Sequence, residues 1–302
     1  MNKGVVYAAG AYLTWGLLPL FWKALQHVPA LEILANRVAW ALVVGLAVGA
    51  VRGSWGWLGA ALRSPRTLLT FGASALLLAV NWGLYIWAVN AGHVVETSLG
   101  YFINPLVNVF LGVVFLRERL RVGQGAAIAL ALAGVLYLTV SYGSPPWIAL
   151  TLAASFGGYG LLRKLAPLNS LEGFTLETMV MALPAVAYLG YIEATTGASA
   201  LLHGGAGTAL LLASSGVVTA VPLLLFAAGA RRVTMTTLGL LQYIAPTMQF
   251  MLGVLVYGEA LSPARLLGFG LVWVALAVYS LEGALAGGRA ARARREAGSA
   301  RA

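Results

Sequence analysis

Tyr101, Asn104 and Asn108 recur at i, i+3 and i+7, a spacing that turns all three to one face of a helix. They sit inside an apolar run, where an unsatisfied amide or phenol is costly, so their clustering is informative. A stretch 141 residues further on repeats the pattern with Gln242, Ala245 and Gln249, two of the three still polar. Asn81 and Tyr85 stand one turn apart on another apolar run, flanked by Trp82 and Trp87. Tyr12, Trp15 and Pro19 line a face near the start of the chain, and Phe156, Tyr159 and Arg163 line another. Amides set among so many rings describe the wall of a cavity. Such a wall suits a flat, weakly polar or cationic organic molecule, held by stacking and cation–π contact. On this reading Tyr12, Trp15, Asn81, Trp82, Tyr85, Tyr101, Asn104, Tyr159, Gln242 and Tyr243 line a substrate path. The competing account has the amides joining helix to helix and the Trp and Tyr rings forming an interfacial belt. For Trp55, Trp57 and Trp147, near the ends of apolar runs, the belt is the better account.

Ionisable groups inside the runs are few. Arg37, in the second run with Glu32 and Asn36, is the candidate for charge recognition or gating; the alternative is that its long stem snorkels to the nearer surface. Glu177 lies about two turns into the seventh run and carries either a functional or a structural reading. His93 and Glu96 read as a solvated loop at the entrance of the fourth. Pro105 and Pro246 each free a backbone carbonyl and are expected to kink their helices. No Gly-rich loop ending in Gly-Lys-Ser/Thr appears, so ATP is not the expected energy source and protons are the default coupling ion. Neither a zinc-binding HExxH nor a catalytic triad is present, and cysteine is absent. The expectation is a non-enzyme without cofactor or metal.

The elements that must hold these side chains are membrane helices. Of 302 residues, 60% are hydrophobic and only 9% charged, against about 25% charged in a soluble domain. Apolar runs of about 20 residues recur, the length an α-helix needs to cross the hydrocarbon core. They are continuous rather than alternating, which selects helices over a barrel. The predicted spans cover about residues 4–24, 31–51, 67–89, 94–116, 122–141, 146–165, 171–192, 208–230, 234–257 and 263–286. With the N-terminus inside, sixteen of the nineteen Lys and Arg fall on the inner side, Lys23 and Arg265 outside, and Arg37 within a span. That split follows the positive-inside rule and explains the net charge of +10 without nucleic acid. It places both termini in the cytoplasm, in a multi-pass protein of the plasma membrane, the inner membrane of a bacterium. The residues from 287 to 302 read as a disordered basic tail near anionic headgroups. Small residues in the fifth and tenth spans (Gly123, Gly125, Gly134, Gly268, Gly270) permit close helix contact within or between chains, and leave the oligomeric state open.

One register relates the two halves. At an offset of 141, Asn104-Pro105 falls on Ala245-Pro246, Gly112 on Gly253, Glu118 on Glu259, Leu120 on Leu261, Trp15-Gly16 on Phe156-Gly157 and Lys23 on Lys164. Five spans per half is an odd number, so the second half enters from the opposite side. The expected fold is therefore all-α and integral to the membrane, ten transmembrane helices in two inverted five-helix repeats, 1–143 and 144–286. Such frames recur in secondary transporters.

The segment from Asn81 to Val89, then Ser98-Leu99-Gly100-Tyr101-Phe102-Ile103-Asn104-Pro105-Leu106, resembles the RarD family, in the EamA branch of the drug/metabolite transporter superfamily. Tyr159 to Lys164, Thr219 with Pro222 to Phe226, and Leu240 to Thr247 extend the likeness, as do Tyr12, Trp15-Gly16, Pro29, Glu32 to Leu34 and Arg37. The resemblance implies the same ten-helix fold, a central cavity, and a permease for a small amphipathic solute of the chloramphenicol type. It assigns no binding residues. Two other functions stay open: uptake or exchange of a polar metabolite, and a membrane sensor that moves nothing.

Overall fold

The computed structural model describes residues 2–53, 55–91, 93–143, 145–258, 263 and 266–282, and every regular element among them is helical. In chain order these are α1 (Lys3–Ala24), α2 (Ala30–Arg52), α3 (Gly56–Leu62), α4 (Pro65–Asn90), α5 (Val94–Leu116), α6 (Val122–Tyr142), α7 (Trp147–Leu165), α8 (Ser170–Thr196), α9 (Ala200–His203), α10 (Gly205–Ala230), α11 (Met235–Gln242) and α12 (Ile244–Leu255). A last helix, α13, runs Leu266–Glu282. Among the described residues, eight stretches are long and apolar enough to cross a membrane: α1, α2, α4, α5, α6, α8, α10 and the α11–α12 pair. The chain is thus a multi-pass membrane protein. The predicted tail, with Glu259, Leu261 and Arg265, lies outside the described residues.

Local chemistry sets where the helices start and stop. Asn2 caps α1 by accepting from the Gly4 N–H at 2.9 Å. Ser64 caps α4, with Pro65 at the first helical position, where its missing N–H costs nothing. Asn169 and Glu172 form a capping box at the start of α8. α5 ends unusually. Arg117 takes a left-handed conformation at φ 54°, and the Glu118 N–H then bonds back to the Gly112 carbonyl at 3.0 Å. That turn aims the Glu118 carboxylate at the start of α11.

One feature adds detail to the sequence expectation and one differs from it. The ninth span is not one helix: it breaks at Tyr243, whose N–H reaches back to the Leu240 carbonyl, and Pro246 has no N–H to offer the Gln242 carbonyl. In the first half α5 instead runs through Pro105 as one helix. Glu96 does not belong to a solvated loop. It is buried and accepts from the Ile148 N–H at 2.8 Å, holding the start of α7.

Successive long helices alternate in direction. The starts of α1, α4, α8 and α11 therefore share one end with the last turns of α2, α5, α7 and α10. Most described Lys and Arg gather there, and it is called the basic end below. The packing comes in corresponding pairs. α1 lies against α10 and the α11–α12 pair, while α7 lies against α4 and α5; α2 meets α8, and α5 meets α11. A side chain at Gly16 would collide with Met248, and one at Gly157 with Val107. The two glycines are 141 residues apart, and so are their neighbours. At the bundle's edge, Gly134 and Gly268 let α6 and α13 close on each other, whereas Gly125 and Gly270 face open space.

Candidate functional site: a ring-and-amide cavity

A cavity of ≈ 220 Å³ lies between α1, α2, α4, α5, α7, α10 and α11–α12. Along α1 its wall runs from Tyr12 through Trp15, Leu18 and Pro19 to Trp22, roughly 15 Å at the helical rise. It thus extends from mid-helix toward the end opposite the basic one. Of the side chains expected on the path, it brings together Tyr12, Trp15, Asn81, Trp82, Tyr85, Tyr101, Asn104 and Gln242, with Arg37 and Pro246. Tyr159 and Tyr243 lie behind the wall. Tyr159 is buried and stacks on Phe226 at 5.8 Å; Tyr243 is fully buried and donates to the Phe102 carbonyl at 3.1 Å.

Several polar groups at the wall are held by a neighbouring helix. The Asn81 amide donates to the Leu152 carbonyl at 2.9 Å and to Ser155 Oγ at 3.1 Å, tying α4 to α7. Asn108 donates to Gln242 Oε1 at 2.7 Å, tying α5 to α11. The Tyr85 and Tyr101 rings meet edge to face, 6.2 Å apart. Asn104 Oδ1 is buried and has no hydrogen-bond partner. The rings pack edge to face or tilted, with Trp15 5.7 Å from Tyr12 and 5.6 Å from Phe156. Charge enters the wall at one point. The Arg37 guanidinium lies 4.2 Å from the Trp82 ring and 5.1 Å from the Trp22 ring, and its Nε donates to Thr219 Oγ1 at 3.2 Å.

Sequence reasoning missed several wall residues, among them Trp22, Thr97, Gly100, Leu152 and Leu223. Trp22 was within reach, because Trp15, Leu18 and Trp22 repeat at the same i, i+3, i+7 spacing that exposed the Tyr101 face. Leu152 and Leu223 carry no such signal, being apolar residues among apolar residues.

Residues 2–140 match the EamA-like transporter family. A protein named RarD from Streptomyces exfoliatus is 51% identical over 297 residues, covering 98% of this chain and 93% of that one. The chain is a RarD-type member of the EamA-like transporter family. RarD of Escherichia coli (strain K12) is 42% identical over 93% of this chain and 95% of its own. A Pseudomonas aeruginosa relative named chloramphenicol-sensitive protein RarD is 33% identical over 91% and 92%. A solved crystal structure 22% identical in sequence superposes with a TM-score of 0.69 over 93% of this chain and 97% of that one, a likeness of fold.

In this family member the basic end is tied together. Glu118 accepts from the Met235 N–H at 2.6 Å, the Thr236 N–H at 2.9 Å and the Thr236 hydroxyl at 2.8 Å, joining α5 to the start of α11. A carboxylate there also meets the positive end of that helix. Lys164 donates to the Ala230 and Val233 carbonyls, and Arg231 to those of Ala166 and Leu168, closing α7 against α10. Deeper in, Arg163 faces Glu177 at 3.6 Å with both side chains 1% exposed, and Ser74 donates to the same carboxylate at 2.5 Å. Glu177, which the sequence left without a role, is one half of a buried ion pair.

Proposed function

We propose that this chain is a secondary active transporter that carries a small amphipathic metabolite or drug across the plasma membrane by alternating access. Membership of a transporter family and the multi-pass helical body support the reading. One observation carries it: a ring-and-amide cavity reaches mid-helix from one end of the bundle, while the other end is laced by Glu118, Lys164, Arg231 and the Arg163–Glu177 pair. A cavity set toward one end of a bundle whose other end is tied fits one half of an alternating cycle.

We read the frame as ten crossings in two inverted five-helix repeats, 1–143 and 144–286, with the tail 287–302 beyond. The corresponding helix pairs and the 141-residue relation of Gly16 and Met248 to Gly157 and Val107 favour it. α7 and α13 supply the two crossings beyond the eight most apolar. Ten is even, so both termini lie with the basic end in the cytoplasm, and the cavity then faces outward. Tyr12, Trp15, Trp82, Tyr85 and Tyr101 offer stacking surface to the solute. Protons are the proposed coupling ion.

The name of the Pseudomonas relative makes chloramphenicol the first solute to try. Purified protein in proteoliposomes, with the labelled solute on one side, is expected to move it faster than protein-free vesicles. The rate should drop when the proton gradient is collapsed, and by at least tenfold in Tyr101→Ala. A screen of amphipathic solutes in which none crosses faster than through empty vesicles, with either gradient direction, sinks the transporter reading and leaves the sensor. Transport indifferent to the proton gradient sinks only the coupling ion.

A further inference from the structure

The cavity wall holds one cation and no carboxylate. The ion pairs among the described residues are Arg121–Glu282, Arg163–Glu177 and His203–Glu193, so none involves Arg37. A guanidinium carries five N–H donors, and the described residues give Arg37 one hydrogen bond, from Nε to Thr219. It is half-buried, in the second membrane-length helix, where a charge without a counter-charge is expensive. The flanking Trp22 and Trp82 rings offset part of that cost. The Arg37 Nε is turned to Thr219 on α10. The edge left over is the pair of terminal nitrogens, which is the edge that grips a carboxylate with two parallel bonds.

We propose that Arg37 is a substrate-binding residue and that the natural occupant of the cavity is an organic carboxylate with a flat apolar body. The claim rests on the transporter reading and narrows it. The carboxylate pairs with the terminal nitrogens of Arg37, and the apolar body lies toward Tyr12 and Trp15 in the deeper part of the cavity. A cationic solute is disfavoured at the same place, because the Trp22 and Trp82 faces there are already engaged by an unneutralised guanidinium.

The test is a binding assay on purified full-length protein in lipid nanodiscs, read by tryptophan fluorescence and thermal shift. The probes are indole-3-acetate and phenylacetate, their neutral amides of the same shape, and the cation tryptamine. The acids are expected to bind at least tenfold more tightly than the amides, and tryptamine least tightly. Arg37→Gln should erase the acid preference while amide binding holds; Arg37→Lys should keep part of it. Thr219→Val removes only the Nε bond, and it should retain the preference in a chain that keeps its charge. Amides or tryptamine binding as well as the acids in the native chain, no probe binding at all, or an acid preference that survives Arg37→Gln would each overturn the proposal. Failure here is separable from failure of the transporter reading. Gradient-driven movement of neutral solutes with no acid preference sinks the first alone. Arg37-dependent acid binding without movement of any solute sinks the second alone.

Discussion

Arg37 and Arg163 are the same side chain set toward opposite ends of one bundle, and they are held in opposite ways. Arg163 is 2% exposed, faces Glu177, donates to the Ser170 carbonyl at 2.9 Å and lies 5.5 Å from the Phe71 ring. Even the space it needs is built in, since a Cβ at Gly173 would stand 1.9 Å from its Nη1. Arg37 is half-buried between two indoles and, among the described residues, has one hydroxyl for a partner and no carboxylate. A membrane-embedded charge neutralised from within holds helices together. One left unneutralised at a cavity wall is available to something that arrives.

The widest gap between the two should appear when the buried pair is broken. Glu177→Leu leaves Arg163 buried without a counter-charge and is expected to cost about 3–5 kcal/mol, read by denaturant unfolding in detergent. Adding Arg163→Met should recover most of it; a single variant as stable as the parent would mean that the pair holds nothing. Gly173→Ala drives a methyl into the Arg163 seat and against Phe71, and an overpacking loss of about 1–3 kcal/mol is expected, measured the same way. A neutral result would show that the seat can yield. Arg37→Gln should reverse the pattern. Its stability change should stay within about 1 kcal/mol, the scale of an exposed cation–π contact, while it weakens binding of the acidic probes at least tenfold. If it unfolds the protein as Glu177→Leu does, the contrast collapses. The smallest effect is expected from Thr219→Val, which removes one hydrogen bond to a charged group. Affinity for the acids should fall a few-fold and the melting temperature should hardly move.

The long helices were legible because hydrocarbon thickness dictates apolar runs of fixed length, and the predicted 4–24 and 31–51 meet α1 and α2 within a residue or so at each end. Pro105 and Pro246 look alike in sequence and raise the same expectation of a kink; it is their surroundings that leave α5 one helix through Pro105 and interrupt the ninth span at Tyr243. On the wall, Tyr101 and Asn104 announced themselves by being polar on one face. Tyr159 and Tyr243 share that polarity but point into helix contacts, and periodicity along one helix cannot tell a cavity from a neighbour. The Arg163–Glu177 pair was hidden for the same reason. Its members lie on successive helices, and their meeting depends on how α7 and α8 fold back across residues 166–169.

The bond from the Tyr243 hydroxyl to the Phe102 carbonyl joins two positions 141 residues apart, each standing where the other stands in its own half. On the two-fold reading, a position that touches its own counterpart sits on the line about which the halves trade places. Points on such a line travel least while the ends swing. If the proposed alternating-access cycle holds, this phenol and carbonyl are its fulcrum, one contact kept while Arg37 and Arg163 ride at opposite ends of the beam.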